Sequence, residues 1–262
     1  MMDKKEMVFK NSILPNPNEV FYSQPLERCI QEYLLNEVIK KKENGYEIIT
    51  KKTRNIKICF SGIENNLRRY QVLCMELVIE NNYMGLAIER IVRKHQNVFD
   101  EVIMYVNNNG SILEIINIDE IQERWEETKK ELKEQNQGID FENYLAENDD
   151  FFDDPERILK YISSKVMYGL YFNDCWGFHD LKKPRYKDLK LILDEPREMH
   201  DRHTLHLAKP YSHDSKMIWN TETDEKTQLC EMIFKNNQLE HALLEINEPN
   251  KLTNYSLLCL TL

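Results

Sequence analysis

The chain has 262 residues, 41% of them hydrophobic and 31% charged, a balance that predicts a soluble globular protein with a packed core. Its 45 acidic and 35 basic side chains give a net charge of −10, which argues against nucleic acid or an anionic membrane as the main partner, because both require a basic surface. The same charge is compatible with a basic protein partner.

The first 25 residues are rich in Asn and Pro and are expected to form an extended arm, because proline lacks the backbone donor that regular structure uses. Glu6, Pro15 and Pro17 interrupt this segment, so it does not have the apolar run of a signal peptide. The six cysteines are scattered and form no CxxC pair. This pattern indicates reduced thiols and a cytoplasmic location. Residues 26–262 are expected to form the globular region.

The segment after the arm predicts an antiparallel meander followed by a helix. Asn44-Gly45 has the composition of a tight hairpin turn, while the preceding residues 26–35 fit either a helix or a strand. Further strands are predicted at 56–60 and 70–79, and a helix at 83–95, where the apolar residues gather on one side.

A second hairpin is predicted at 102–116, with its turn at Asn107–Gly110. Both of its strands are apolar at nearly every position, so both faces are expected to be covered. Asn117 is a predicted helix cap, with Glu120 completing a capping box. The helix that follows is expected to bury one apolar stripe, formed by Ile118, Ile121, Trp125 and Leu132. On its solvent-exposed side, Glu126 and Lys130 are expected to form an ion pair.

Between Gln135 and Pro155 the composition becomes acidic and amide-rich, which predicts a solvated loop and a seam near 135–153. Asp154-Pro155 is typical of a helix start. An aromatic loop at 171–178 follows. Strands are then predicted at 189–193, 203–207, 216–219, 228–234, 239–246 and 255–262.

Together these segments predict an α+β fold, with antiparallel β-sheets in the N- and C-terminal parts and about three central helices packed on them. The hairpin at 104–115 resembles the one at 232–246, since both turn on asparagines. Two related sub-units would explain the likeness, but so would common turn chemistry.

Histidine shows the strongest local concentration of metal-ligating residues: His200, His203, His206 and His213 lie within fourteen positions. Histidine and carboxylate are ligands of zinc and iron, so these four are weak candidates for a metal site. A strand at 203–207 would send His203 and His206 to opposite faces, which favours a structural or exposed group instead.

The acidic segment is the other candidate site. It lacks the alternate oxygen ligands and central glycine of a calcium loop, and the simplest interpretation is a solvated loop with a helix cap. A second interpretation is a charged face that attracts a basic partner. The residues expected to contact such a partner are Asp149, Asp150, Asp153, Asp154 and Trp176.

No nucleophile elbow, phosphate loop or dinucleotide turn is present in the sequence, and no cofactor is predicted. Cys175 with His179 is a conceivable thiolate and base, although sequence neighbours are rarely a catalytic pair. The leading hypothesis is a non-enzymatic interaction protein of the immunity, chaperone or adaptor type. The alternatives are a metal-assisted hydrolase using the region His200–His213 and a structural subunit of a larger assembly, and the oligomeric state stays open.

Overall fold

The computed structural model describes most of the chain between residues 19 and 261. The described residues are 19–22, 25, 27–75, 77–83, 85–172, 176–180, 185–188, 200–207, 215–222, 226–235 and 238–261. The predicted strand at 189–193, most of the predicted arm, Cys175 and His213 lie outside them.

Along the described residues the order is five strands, one helix, two strands, four helices and seven strands. The strands are β1 Glu19–Tyr22, β2 Cys29–Glu43, β3 Tyr46–Glu64, β4 Leu67–Cys74, β5 Val78–Asn81, β6 Glu101–Val106, β7 Ile112–Ile115, β8 Gly177–Asp180, β9 Arg185–Asp188, β10 His200–Leu207, β11 Ser215–Glu222, β12 Thr227–Lys235, β13 Gln238–Glu248 and β14 Lys251–Cys259. The helices are α1 Leu86–Asn97, α2 Ile118–Lys133, α3 Ile139–Phe152, α4 Pro155–Ser164 and α5 Val166–Gly169.

One antiparallel sheet contains strands from both ends of the chain. Its order is β7-β6-β4-β3-β2-β14-β13-β12-β11-β10-β9, with β5 added on β3, while β1 and β8 form a separate pair. The prediction of antiparallel sheet together with helices is therefore confirmed in outline. The two parts of the sheet, which were predicted separately, are joined because β14 pairs with β2 along nine residues.

Turn chemistry determines the long β2–β3 hairpin. Asn44 and Gly45 have φ values of 50° and 80°, the left-handed angles of the turn that matches strand twist. The ambiguous segment before it is a strand, in which the alternate residues Gln31, Tyr33 and Leu35 are buried. This alternation confirms the hairpin prediction and decides between helix and strand.

The core lies between the helices and one face of the sheet, which we call the inner face. Alternate residues of the strands supply it, and the same cluster includes side chains of the helices. Its sheet members include Tyr33, Ile56, Ile58, Tyr70, Val72, Met104, Met232, Leu244 and Leu257, and its helix members include Ile121, Trp125, Phe152, Ile158 and Ile162.

Helix α2 starts where the sequence predicts, but its cap differs. Asn117 is the N-cap residue without a side-chain capping bond. Its side chain instead accepts a hydrogen bond from Ile103 N at 2.7 Å and donates one to Glu101 O at 3.2 Å. The predicted capping box with Glu120 is therefore wrong, because the Asn117 side chain is used to satisfy β6.

The acidic segment forms a helix, α3, where the sequence predicts a solvated loop. Leu145 and Phe152 are buried, and Tyr144 packs half-buried against the same core. Packing of this apolar side against neighbouring helices stabilises α3 despite its many acidic residues. The loop prediction is therefore wrong, and the seam predicted near 135–153 falls on α3.

Candidate functional site

The outer side of α2 carries a continuous row of glutamates, which we call the glutamate ridge. At 3.6 residues per turn their spacing of three or four places them within about a quarter of the helix circumference, over about 21 Å of its length. All five are exposed. They lie opposite the buried residues Ile121, Trp125 and Leu132. The ridge consists of Glu120, Glu123, Glu127 and Glu131 in α2, and Glu134, its C-cap residue.

Few cations offset the glutamate ridge. Lys94 of α1 forms an ion pair with Glu131. Within the described residues the other four glutamates have no ion pair. Lys129 of the same helix pairs instead with Glu126 and Asp149, with its Nζ 2.5 Å from Glu126 Oε1 and 2.9 Å from Asp149 Oδ1. Like charges three or four positions apart destabilise a helix by roughly 0.2–0.5 kcal/mol per pair. The ridge thus persists at some cost in stability.

The charge of the whole chain is concentrated in the helices that carry the ridge. Residues 118–164 contain 15 acidic and six basic side chains, a net charge of −9, against −10 for all 262 residues. The remainder of the chain is nearly neutral. Thirteen of the 15 acidic residues in this segment are exposed. The helices α2, α3 and α4 therefore form an acidic surface on a molecule that is otherwise balanced in charge.

Asp149, one of the predicted partner-binding residues, is engaged within the helical layer. Its Oδ1 accepts hydrogen bonds from Trp125 Nε1 at 2.7 Å and from Lys129 Nζ at 2.9 Å. Partial burial alone would raise the pKa of Asp149, but these two bonds outweigh it and hold the pKa below its usual value. Asp149 joins α3 to α2 and leaves little of its charge for a partner.

Asp154 is confirmed as the cap of α4. Its Oδ1 accepts hydrogen bonds from the backbone N–H groups of Glu156 at 2.9 Å and Arg157 at 3.2 Å. Asp150 and Asp153 are exposed. The carboxylates of this pair have no hydrogen bond within the described part of the chain, so they are accessible to a partner.

Trp176 packs on the sheet. Its ring lies 6.0 Å from Tyr70, 5.9 Å from Tyr171 and 5.9 Å from Phe172, between centroids. Its backbone N–H donates to Asn109 O at 3.0 Å. Trp176 thus belongs to the aromatic cluster over β4, whereas the four aspartates belong to α3 and the start of α4.

The histidine region is described by its backbone alone. The predicted strand is confirmed as β10, which runs from His200 to Leu207 between β9 and β11. Elsewhere in the described chain, no three His, Cys, Asp or Glu side chains stand together as metal ligands. A metal site at these histidines stays a prediction.

One titratable group that the sequence did not single out lies half-buried under the acidic surface. His95 of α1 lies 2.9 Å from Tyr144 OH, measured from Nδ1, and its ring packs near Trp125 and Phe152. Burial, assisted by the charge of Lys165, lowers the pKa of His95 to about 4. Neutral His95 therefore ties α1 to α3 at physiological pH.

The glutamate ridge itself was also missed, although its signal is in the sequence. Glutamates at 120, 123, 127, 131 and 134 repeat with helical spacing. The apolar stripe of this helix and a Glu126–Lys130 pair are predicted from the sequence, but the row of glutamates is not. A search for charge periodicity on the opposite face would have found the ridge.

Comparisons with known proteins reveal a likeness of fold. No family model and no curated protein matches the chain. A solved structure of lipovitellin, described by its lipid–protein interactions, has a TM-score of 0.51 and 8% identity; the match covers 91% of this chain and 25% of that one. This chain thus spans a quarter of the lipovitellin chain. At this identity the likeness shows the fold alone.

A second solved structure is DynF from the dynemicin biosynthesis pathway of Micromonospora chersina. It has 7% identity, and the match covers 92% of this chain and 83% of that one. Its TM-score of 0.21 carries no argument. Among the described residues, no helix combines the length and apolar character that crossing a bilayer requires.

Proposed function

We propose that this protein is a non-enzymatic interaction protein, of the immunity, chaperone or adaptor type, that binds a basic partner protein through α2 and α3. The observation that carries the proposal is the segregation of charge, since residues 118–164 hold a net −9 of the chain's −10. Such a field speeds the capture of a basic partner and orients it before contact.

The unpaired glutamates support this function over a purely structural role. A surface selected for stability alone would pair these glutamates with cations of the same helix, because Glu–Lys pairs at this spacing stabilise a helix. Four of the five ridge glutamates have no ion pair in the described chain, although three lysines lie on the same helix. Stability lost at a site is a common consequence of function.

The proposal includes a cytoplasmic location. The five cysteines that the structure describes are free thiols, and reduced cysteines are typical of cytoplasmic proteins. Blocking exposed thiols at cell lysis and mapping the protein's cysteines by mass spectrometry would test it. Disulfide-linked peptides in the blocked sample would contradict this location.

The binding proposal is tested by removing ridge charge with a matched control. The test variant is Glu120→Gln, Glu123→Gln and Glu127→Gln together. The control variant makes the same change of three charges at Glu47, Glu114 and Glu245, which are exposed, lack ion pairs in the described chain and lie outside the helices. Proteins retained from lysate at low salt would be identified by mass spectrometry, purified and titrated against each variant.

The expected result is that the purified partner is basic, that its affinity falls steeply with salt, and that the ridge variant binds at least tenfold more weakly. The control variant should bind like the wild type. Binding that is indifferent to salt, or equally weakened by both triple variants, would contradict a docking function of the glutamate ridge.

A further inference from the structure

A cleft of about 690 Å³ opens on the sheet where the start of β2 meets the end of β3 and the start of β4. Two arginines line it, Arg28 just before β2 and Arg69 in β4. Ile30, Cys59 and Ser61 also face the cleft. It shares no residue with the acidic surface.

An irregularity in β3 shapes this cleft. The pairing of β3 with β4 shifts between Phe60 and Gly62, so that Ser61 is an extra residue without a partner on β4. Gly62 has φ 137°, an angle that side chains other than glycine rarely adopt. Such bulges redirect side chains and are frequent beside binding sites. Here the bulge places Ser61 at the cleft wall.

The charges around the cleft are not balanced. Among the described residues that line it, Glu64 carries the one carboxylate; Tyr105 OH donates to Glu64 Oε2 at 2.5 Å, and Arg69 Nη1 lies 3.6 Å from Oε1. Arg28 is exposed and has no ion pair within the described chain. Burial raises the pKa of the Cys59 thiol, so the thiol is neutral at physiological pH and adds no negative charge. The described lining therefore carries two guanidinium groups against one carboxylate, an excess of positive charge on a protein of net charge −10.

We propose that this cleft is a binding site for a small anion, whose carboxylate or phosphate group is held between the guanidinium groups of Arg28 and Arg69. Guanidinium presents a planar fork of donors that matches the oxygens of either group. The Ser61 hydroxyl supplies a further donor. Ile30, which is 63% exposed, offers an apolar surface to the rest of an organic anion. This site is independent of the proposed binding of a basic protein.

Isothermal titration calorimetry of the full chain tests the site with three probes: sodium octanoate, sodium phosphate and uncharged 1-octanol. At least one of the two anions should bind saturably. Arg28→Ala and Arg69→Ala should each weaken that binding roughly tenfold or more, as expected for the loss of a charge-assisted hydrogen bond. Arg90→Ala is the matched control, because Arg90 bonds Gln135 in the helical layer, and it should leave binding unchanged.

A second measurement uses the wild-type protein alone and does not depend on the folding of a variant. The bound anion should slow alkylation of Cys59, mapped by peptide mass spectrometry, several-fold. Binding of octanoate without phosphate would assign an organic carboxylate, and the reverse would assign a phosphate group. The proposal is overturned if neither anion binds, if 1-octanol binds as tightly, or if Arg90→Ala weakens binding as much as Arg28→Ala.

Discussion

The individual carboxylates of the acidic segment differ in whether they are free to contact a partner. Asp149 is held by Trp125 and Lys129, and Asp154 caps α4. Both side chains therefore stabilise the helices. Asp150 and Asp153 stay exposed, so in the proposed function they, with the glutamate ridge, are the residues that contact a partner.

Also at the residue scale, partial burial of neutral His95 makes the free energy of unfolding depend on pH. Its pKa is about 4 in the folded protein against an ordinary value of 6.5, so between these values the unfolded chain binds more protons. Stability is therefore lost as the pH falls through this window, by about 2 kcal/mol from pH 7 to pH 5. Urea unfolding at both pH values should show this loss.

His95→Gln is the control for that measurement. Glutamine retains a hydrogen-bonding group for Tyr144 but does not titrate. The variant's free energy of unfolding should change between pH 7 and pH 5 by about 2 kcal/mol less than that of the wild type. An equal pH dependence in both proteins would show that other groups cause it.

Gly110, in the turn between β6 and β7, combines two constraints. Its φ is 95°, and a β-carbon at this position would lie 2.7 Å from Trp176 Cδ2. Gly110→Ala should destabilise the protein by about 2 kcal/mol or more, because the ring must move in addition to the backbone strain. Gly45→Ala is the matched control, since φ is 80° and nothing lies within 4 Å. Thermal or urea unfolding should rank Gly110→Ala as clearly the worse of the two.

At the scale of the element, α2 performs two tasks with opposite faces. One face buries Ile121, Trp125 and Leu132 in the core. The other presents the glutamate ridge, in which each residue repels the next. Burial stabilises the helix far more than the ridge destabilises it, because one buried large side chain contributes roughly 1.5–3 kcal/mol. The helix can therefore keep a repulsive surface.

Glu123→Lys should increase the stability of the protein while weakening the proposed partner binding. The four positions at helical spacing from Glu123 are all acidic: Asp119, Glu120, Glu126 and Glu127. The substitution turns these repulsive pairs into attractive ones, a gain of about 1 kcal/mol. Urea unfolding at low salt should show the gain, and added salt should reduce it. Glu245→Lys is the control, because Glu245 lies outside the helices opposite Leu229 and Asn254, and it should leave stability nearly unchanged. A loss of stability in Glu123→Lys would contradict the repulsive ridge.

At the scale of the whole molecule, the pairing of β14 with β2 makes one sheet from the two ends of the chain. Tyr33 in β2 reinforces it by donating a buried hydrogen bond across β14 to Leu239 O in β13, at 3.0 Å. The inner face of the C-terminal strands belongs to the same core cluster as the helices. We therefore expect the sheet and the helices to unfold together.

Leu257→Ala tests this cooperativity. Leu257 in β14 is 1% exposed, and its truncation should cost about 2–5 kcal/mol. Circular dichroism and tryptophan fluorescence should report one transition, shifted equally for both probes. Leu258→Ala, at a neighbour 41% exposed, is the control and should shift it much less. Separation of the two probes would indicate that sheet and helices unfold independently.

The sequence by itself determined the elements whose signals are local. Asn44-Gly45 and Asn107–Gly110 specify their hairpins through turn chemistry, the apolar period specifies α2, and Asp154-Pro155 specifies the start of α4. Each of these signals depends on residues within a few positions of one another, so it can be recognised without knowing the contacts that the rest of the chain makes.

Tertiary structure alone decided the features that depend on distant contacts. The pairing of β14 with β2 places Cys259 opposite Tyr33. The backbone hydrogen bonds that hold such a pair do not depend on which side chains the residues carry. Asn117 bonds β6 in place of its own helix, and α3 is helical because neighbouring helices cover its apolar side. Packing energy from residues far apart in sequence outweighs weak local preferences, which is why these features could not be predicted from the sequence.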